Sequence, residues 1–290
     1  MNQTLQDCID GAISPEIAVA HLMFVGAGPD TIADTIIAAL DEAGPHPRLD
    51  AVRTLLQQHE PQIEALTAHV AATVEDHNAF GDTPEQGIAR IAGFFDRAVA
   101  ASPEASVALY SLGDPAILAA ATAEIVEWLE MADLLAPAAP LGANVLDLGC
   151  GIGRVATALA CRCRSVLGLD VSPGMIAEAR RRAAGLSNLQ FEVTAGQNLA
   201  FLDSASLDLI LAIDSFPYLV QANIAAHHLA DAARILRPGG HLVILNLSYE
   251  GDAYDRAQAA EWATTFNLHL THADAHPFRL WDGSAYVLRK

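Results

Sequence analysis

The chain has 290 residues, 52% hydrophobic and 18% charged, and its 16 Lys and Arg against 35 Asp and Glu leave a formal charge of −19. A chain of this length buries a core as one large or two modest domains, and its acid excess repels a phosphate backbone or an anionic membrane surface, so neither nucleic acid nor membrane is expected as a partner. Cys8, Cys150, Cys161 and Cys163 are too few and too unevenly placed for a disulfide framework, which fits a reducing cytoplasm.

The N-terminal stretch carries acids where an export signal carries Lys or Arg, and Pro15, Glu16 and His21 break its apolar run, so no signal peptide is expected. From Ile13 to about His77 apolar residues recur at helical spacing, and Ser14-Pro15-Glu16, Pro29-Asp30 and Glu60-Pro61 each carry the chemistry of a helix start. Gly26-Ala27-Gly28 and Gly44-Pro45-His46-Pro47 punctuate between them. The pattern predicts an all-helical N-terminal domain over residues 1–80, ending near Asp76-His77-Asn78 and Gly81-Asp82-Thr83-Pro84.

The second domain, 81–290, opens with lead-in helices over 85–135. One runs from Glu85 to Ala100, a short one is capped by Ser102-Pro103-Glu104, and a long Ala-rich one runs from Asp114-Pro115 to Leu135, stopped by Ala136-Pro137-Ala138-Ala139-Pro140. Beyond that stop, short runs of Val, Ile and Leu alternate with amphipathic stretches of helical length, the signature of βα units and a mostly parallel sheet. Strands are predicted at 143–148, 165–169, 189–194, 207–213, 241–247, 267–273 and 284–289, the last two set by a tight Asp282-Gly283 turn. Helices are predicted at 153–161, 173–184, 222–236 and 254–265.

The segment Val145-Leu-Asp-Leu-Gly-Cys-Gly-Ile-Gly-Arg154 is a buried strand running into a Gly-rich turn and then a helix. Its glycines let a ligand approach the backbone, and the helix start offers unpaired N–H groups. A dinucleotide fold needs G-x-G-x-x-G, but Arg154 stands at the sixth position, so the spacing is G-x-G-x-G. Strand, Asp147, Gly149, Gly151, Gly153 and helix in that order resemble the first motif of class I S-adenosylmethionine-dependent methyltransferases. Asp170 ends the next strand, 17 residues past Gly153, where a carboxylate accepts ribose hydroxyls in either family. The run Val171-Ser172-Pro173-Gly174-Met175 and the later Arg237-Pro238-Gly239-Gly240 turn are also similar to the methyltransferases.

The resemblance covers about residues 110–290 and implies an α/β, Rossmann-like, mostly parallel seven-stranded sheet with helices on both faces. It implies S-adenosyl-L-methionine as cofactor, S-adenosyl-L-homocysteine as product, and in-line methyl transfer to nitrogen, oxygen or sulfur of a small-molecule acceptor. Cofactor contacts carried over are Tyr110, Asp147, Gly149, Gly151, Gly153, Asp170, Val171, Met175, Asp214 and Ser215. Many relatives carry an acid where this chain has Ala195, which moves adenine recognition to the Gly196 backbone and to Gln197 or Asn198. Asp214 and Tyr218 are the expected catalytic pair, and Phe216, Tyr218 and Tyr249 face the acceptor. Arg279, in Pro277-Phe278-Arg279-Leu280-Trp281, either meets an anionic group of the acceptor or forms a structural ion pair.

Residues 1–80 are expected to form a lid or a homodimer surface. Two alternatives stand beside this reading: an NAD(P)-dependent oxidoreductase, and a non-catalytic interaction protein that binds S-adenosylmethionine. No metal site is expected, because Cys161-Arg162-Cys163 lacks a second ligand pair. His227-His228 reads as a solvated helix face, and Cys150 as a small packing residue in the turn.

Overall fold

The computed structural model describes residues 1–78, 83–135, 142–274 and 276–290. Gly81-Asp82 and the expected helix stop at Ala136 to Pro140 lie outside the described residues. The chain divides into two compact units, the first made of Met1–Asn78, Arg97–Glu124 and Phe278–Asp282, the second of Ala79–Asp96, Ile125–Pro277 and Gly283–Lys290.

The first unit is helical. Its helices α1 (Gln3–Asp10), α2 (Pro15–Phe24), α3 (Pro29–Ala43) and α4 (Pro47–Asn78) bury Leu5, Cys8, Val19, Met23, Ile32, Ile36, Leu49 and Ile63 in one core. Ser14 caps α2 by accepting from the Ile17 N–H at 3.2 Å, with Pro15 in the first turn, where a missing N–H costs nothing. Helix α1 is additional to the expected elements; only Leu5 and Cys8 of its eight residues are buried, too short an apolar pattern to read. The helix start expected at Glu60-Pro61 is corrected to a kink inside the 32-residue α4, where His59 departs to φ −119°, ψ 17°. Proline lacks the N–H for the i−4 bond and its ring crowds that carbonyl, so the helix bends without ending. Arg48 closes the corner between α1 and α2 by donating to the carbonyls of Cys8 and, at 2.5 Å, Ile13.

Three lead-in helices follow: α5 (Pro84–Ala101), α6 (Pro103–Val107) and α7 (Pro115–Met131). Helix α5 passes from the second unit to the first between Asp96 and Arg97, and α7 returns between Glu124 and Ile125.

The second unit is built on seven strands, β1 (Asn144–Leu148), β2 (Ser165–Asp170), β3 (Leu189–Val193), β4 (Leu207–Ile213), β5 (Leu236–Leu245), β6 (His269–Asp274) and β7 (Ala285–Arg289). Their order is β3-β2-β1-β4-β5-β7-β6; the first five are parallel, and β7 is antiparallel to both its neighbours. The connecting helices are α8 (Arg154–Leu159), α9 (Pro173–Arg182), α10 (Phe216–Gln221) and α11 (Ala225–Ile235), with α12 (Asp252–Thr265) after β5. Strand order runs outward from β1 in both directions, so right-handed crossovers put α8 and α9 on one face and α11 on the other. Alternation then sends Leu146, Leu148, Ile210, Ala212, Leu242 and Ile244 into the core that includes Leu229 and Ile235 of α11.

Several local expectations are corrected. Residues 216–221 are helical where neither strand nor helix was predicted, and α11 begins at Ala225. Pro238-Gly239 is a bulge inside β5, since Leu207 pairs Leu236 but Leu209 pairs His241. Gly239 takes φ 83° there and its N–H donates to the Lys290 carbonyl. Asp282-Gly283 sets no tight hairpin, because the β6–β7 connection is longer and places Phe278–Asp282 in the helical unit, where Asp282 meets His21 at 2.8 Å. His228 is buried, 2% exposed, with its Nδ1 at 3.1 Å from the Ile224 carbonyl; desolvation lowers its pKa, so the ring is neutral. His227 alone keeps the solvated position. No helix among the described residues is long and apolar enough to cross a membrane.

Gly168, in the middle of β2, leaves room for the Phe191 ring of β3: a Cβ at Gly168 would lie 2.4 Å from Phe191 Cδ1. Gly168→Ala is therefore expected to lose about 1–3 kcal/mol of stability through overpacking, read as a lower urea midpoint at unchanged slope.

Candidate functional site

Open parallel sheets bind ligands beyond the carboxyl ends of their strands, where strand order reverses. Here that point lies between β1 and β4. Strand β1 ends at Leu148 and turns back through Gly149, Gly151 and Gly153, at φ 69°, 53° and 72°, conformations open to glycine without a Cβ clash. The N–H groups of Gly149 and Cys150 both donate to the Leu169 carbonyl, at 2.8 and 2.9 Å, and Gly153 starts α8. A Cβ on Gly149 would lie 2.3 Å from Ser215 Cβ, so the β1 and β4 loops approach at a distance only glycine permits.

Asp170 ends β2 and is 8% exposed. Its Oδ2 accepts from the Gly151 N–H and its Oδ1 from the Ser172 N–H, both at 2.9 Å. Burial raises its pKa, with Asp96 adding in the same direction, while these backbone donors favour the charged form. Ser172 in turn caps α9, accepting from the Met175 N–H at 3.0 Å, and donates to Asp96 Oδ1 at 2.6 Å. The same Asp96 oxygen accepts from the Gly174 N–H at 2.8 Å. Asp96 was not legible as a site residue: it lies 76 positions before Ser172 and carries no motif spacing.

Asp147 stands on β1 beneath the turn, 2% exposed. Desolvation pushes its pKa up to about 7, against the lowering influence of the Ala156 backbone and of Arg154. Cys150 is buried as a packing residue, and burial raises its thiol pKa. Met175 is 1% exposed and Val171 half-buried. Gly196, at φ 74°, comes so close to Val171 and Ile88 of α5 that a Cβ would lie 2.6 Å from Val171 Cγ1. Gln197 donates to Glu85 at 3.2 Å, while Asn198 Oδ1 accepts from the Ala200 N–H at 3.1 Å.

On the β4 side, Asp214 follows the last strand residue in a left-handed conformation, φ 53°, and Asn246 does the same after β5, φ 70°. Asn246 Nδ2 donates to Asp214 Oδ1 at 2.8 Å. Ser215 Oγ donates to the Leu148 carbonyl at 2.5 Å. Phe216 is placed in the core, 1% exposed and edge-on to Trp262 at 5.8 Å, and not at the surface of the strand ends. Tyr218 and Tyr249 are brought together, their rings 6.2 Å apart. Burial and the nearby Asp214 raise both phenol pKa values, so both are neutral at physiological pH.

Tyr110 and Arg279 belong to the helical unit. Tyr110 is buried in a short 3-10 turn, Leu109–Ser111, and Arg279 pairs with Glu124 at 3.1 Å. Among the described residues no group of His, Cys, Asp or Glu is arranged to hold a metal ion.

Residues 145–240 match the model of a family described as a methyltransferase domain. The demethylmenaquinone methyltransferase of Tropheryma whipplei is 39% identical over 108 residues, which cover 37% of this chain and 43% of that protein. The trans-aconitate 2-methyltransferase of Methylobacterium nodulans is 40% identical over 166 residues, 53% of this chain and 58% of that protein. The chain thus spans about half the length of the curated relatives it matches. A solved phosphoethanolamine N-methyltransferase 1 of Haemonchus contortus, in complex with phosphoethanolamine and S-adenosylhomocysteine, has the same fold, with a TM-score of 0.53 at 18% identity over 71% of this chain and 49% of that one.

The raised pKa of Asp147 sets a pH dependence. Between the ordinary carboxylate value of 3.8 and about 7 the folded chain holds a proton that the unfolded chain has lost, so this group's contribution to stability falls as pH rises through that window. Asp147→Asn removes the dependence, and relative to wild type the variant is expected to gain about 2–4 kcal/mol between pH 4 and pH 8, measured as paired urea melts at the two pH values.

Proposed function

We propose that this chain, whose sheet unit has the fold of the class I S-adenosylmethionine-dependent methyltransferases and whose residues 145–240 match a methyltransferase domain, transfers a methyl group from S-adenosylmethionine to nitrogen, oxygen or sulfur of a small molecule. The observation that carries this reading is the Asp170 carboxylate, held by one backbone donor in the glycine turn after β1 and another at the start of α9.

The residues fit the cofactor. A carboxylate has about four lone-pair sites, so Asp170 keeps acceptor capacity for ribose hydroxyls beyond the bonds it makes to Gly151 and Ser172. Where the methionine part would lie, three left-handed glycines leave three of the turn's five positions without a side chain, and Cys150 and Ile152 between them are buried. Val171 and the Gly196 backbone close the adenine end. Once bound, the cofactor supplies an electrophilic methyl group that an acceptor lone pair takes in line while sulfur keeps the bonding pair, leaving S-adenosylhomocysteine.

Asp170, whose backbone donors favour the charged form, puts negative potential at the end that receives a cationic cofactor. Asp214 and Tyr218 hold the acceptor, and the Asp214 carboxylate takes the proton an O–H, N–H or S–H acceptor loses. Orientation at near-attack distance carries much of such a displacement. The nicotinamide alternative is disfavoured by Arg154, which opens α8 where a third glycine is needed for close helix packing. The four free thiols support a reducing cytoplasm as the place of action.

Asp170→Ala is expected to weaken S-adenosylhomocysteine binding by about tenfold or more, the loss of charge-assisted hydrogen bonds. Calorimetric titration of both proteins, with NADH as the parallel ligand, checks it; unchanged affinity, or binding of NADH alone, sinks the reading.

A further inference from the structure

The two residues just beyond β4 and β5, Asp214 and Asn246, are both left-handed and joined side chain to side chain at 2.8 Å. Their backbones are fixed as well: the Asp214 N–H donates to the Leu245 carbonyl at 2.8 Å, and the Asn246 N–H to the Ser284 carbonyl at 2.7 Å. Asp and Asn take this conformation more readily than other non-glycine residues, and here the hydrogen bonds fix it. Asn246 therefore holds the Asp214 carboxylate in one orientation at the mouth of the sheet.

Beside that carboxylate runs a row of aromatic rings from three different elements. Phe94 and Phe95 of α5 lie 5.1 Å apart, Phe95 and Tyr218 of α10 5.3 Å, and Tyr218 and Tyr249, between β5 and α12, 6.2 Å. All three contacts are edge-to-face, at 83°, 84° and 83°. None of the four is fully buried, and Tyr249 is 49% exposed. In each contact the edge of one ring covers a face of the next, and the apolar surface that stays open, Tyr249's above all, is one against which an aromatic ligand packs edge-on or stacked. The Asp214 carboxyl beside Tyr218 and Tyr249 offers an anion no countercharge and accepts a hydrogen bond from a hydroxyl.

Resting on the methyl-transfer reading, we propose that the acceptor is an aromatic alcohol that packs against Phe95, Tyr218 and Tyr249 with its hydroxyl toward Asp214, and not a polycarboxylate or a phosphate ester. Phe94 supports the row from behind Phe95, and Asn246 is a positioning residue acting through Asp214.

Calorimetry of the full chain saturated with S-adenosylhomocysteine tests this, with naphthol as the aromatic probe and citrate as the polyanion. Naphthol is expected to bind and citrate not to. Tyr249→Ala and Phe95→Ala should each weaken naphthol by about tenfold, the loss of a stacking partner and its buried area, with S-adenosylhomocysteine affinity unchanged as evidence that the variants fold. Citrate binding without naphthol, or naphthol binding that neither substitution alters, overturns the acceptor class while leaving methyl transfer standing. Failure of wild type to bind S-adenosylhomocysteine overturns both.

Discussion

The Asp170 carboxylate, clasped by the N–H groups of Gly151 and Ser172, is the interaction on which the rest of the site depends. A buried charge is costly unless polar groups replace its water, and here the replacements come from the ends of two different βα connections. Oδ2 fixes the turn after β1 and Oδ1 fixes the start of α9, so one side chain sets the register between a glycine loop and a helix. Gly149 and Cys150 reinforce it through the Leu169 carbonyl. Ser172 and Asp96 extend it, passing the constraint on to the first turn of α9 and to α5.

Around that clasp the strand ends divide into two chemistries. On the β1–β3 side stand buried carboxylates and close-approach glycines, suited to a polar, cationic nucleoside. On the β4–β5 side stand one oriented carboxylate and a row of aromatic rings. Helix α5 touches both: Ile88 and Asp96 meet Gly196, Ser172 and Gly174, while Gly87 and Phe95 meet Ala222 and Tyr218. One stretch of helix, up to Asp96, thus contacts both ends of the site.

The strands were legible because a parallel sheet buried on both faces demands continuous Val, Ile and Leu runs; all seven are present, six within two residues of their expected bounds and β5 starting five residues early. The misses have physical causes. Pro61 marks a kink because tertiary packing carries α4 through it. Phe216 looked like a pocket residue because it follows a strand end, yet α10 turns its ring into the core. His228 looked solvated beside His227, but one step of 100° around α11 buries it.

The sequence by itself determined the glycine turn, the places of Asp147 and Asp170 and the succession of strands and helices along the chain, because each follows from local spacing: backbone conformation, side-chain period and the length of a βα connection are properties of neighbours in the chain. Asp96 on Ser172, Phe95 on Tyr218 and Asn246 on Asp214 were decided only by the tertiary structure. Those pairs join residues far apart in sequence, whose contacts depend on where strands and α5 come to lie in space, and no periodicity along the chain encodes that distance.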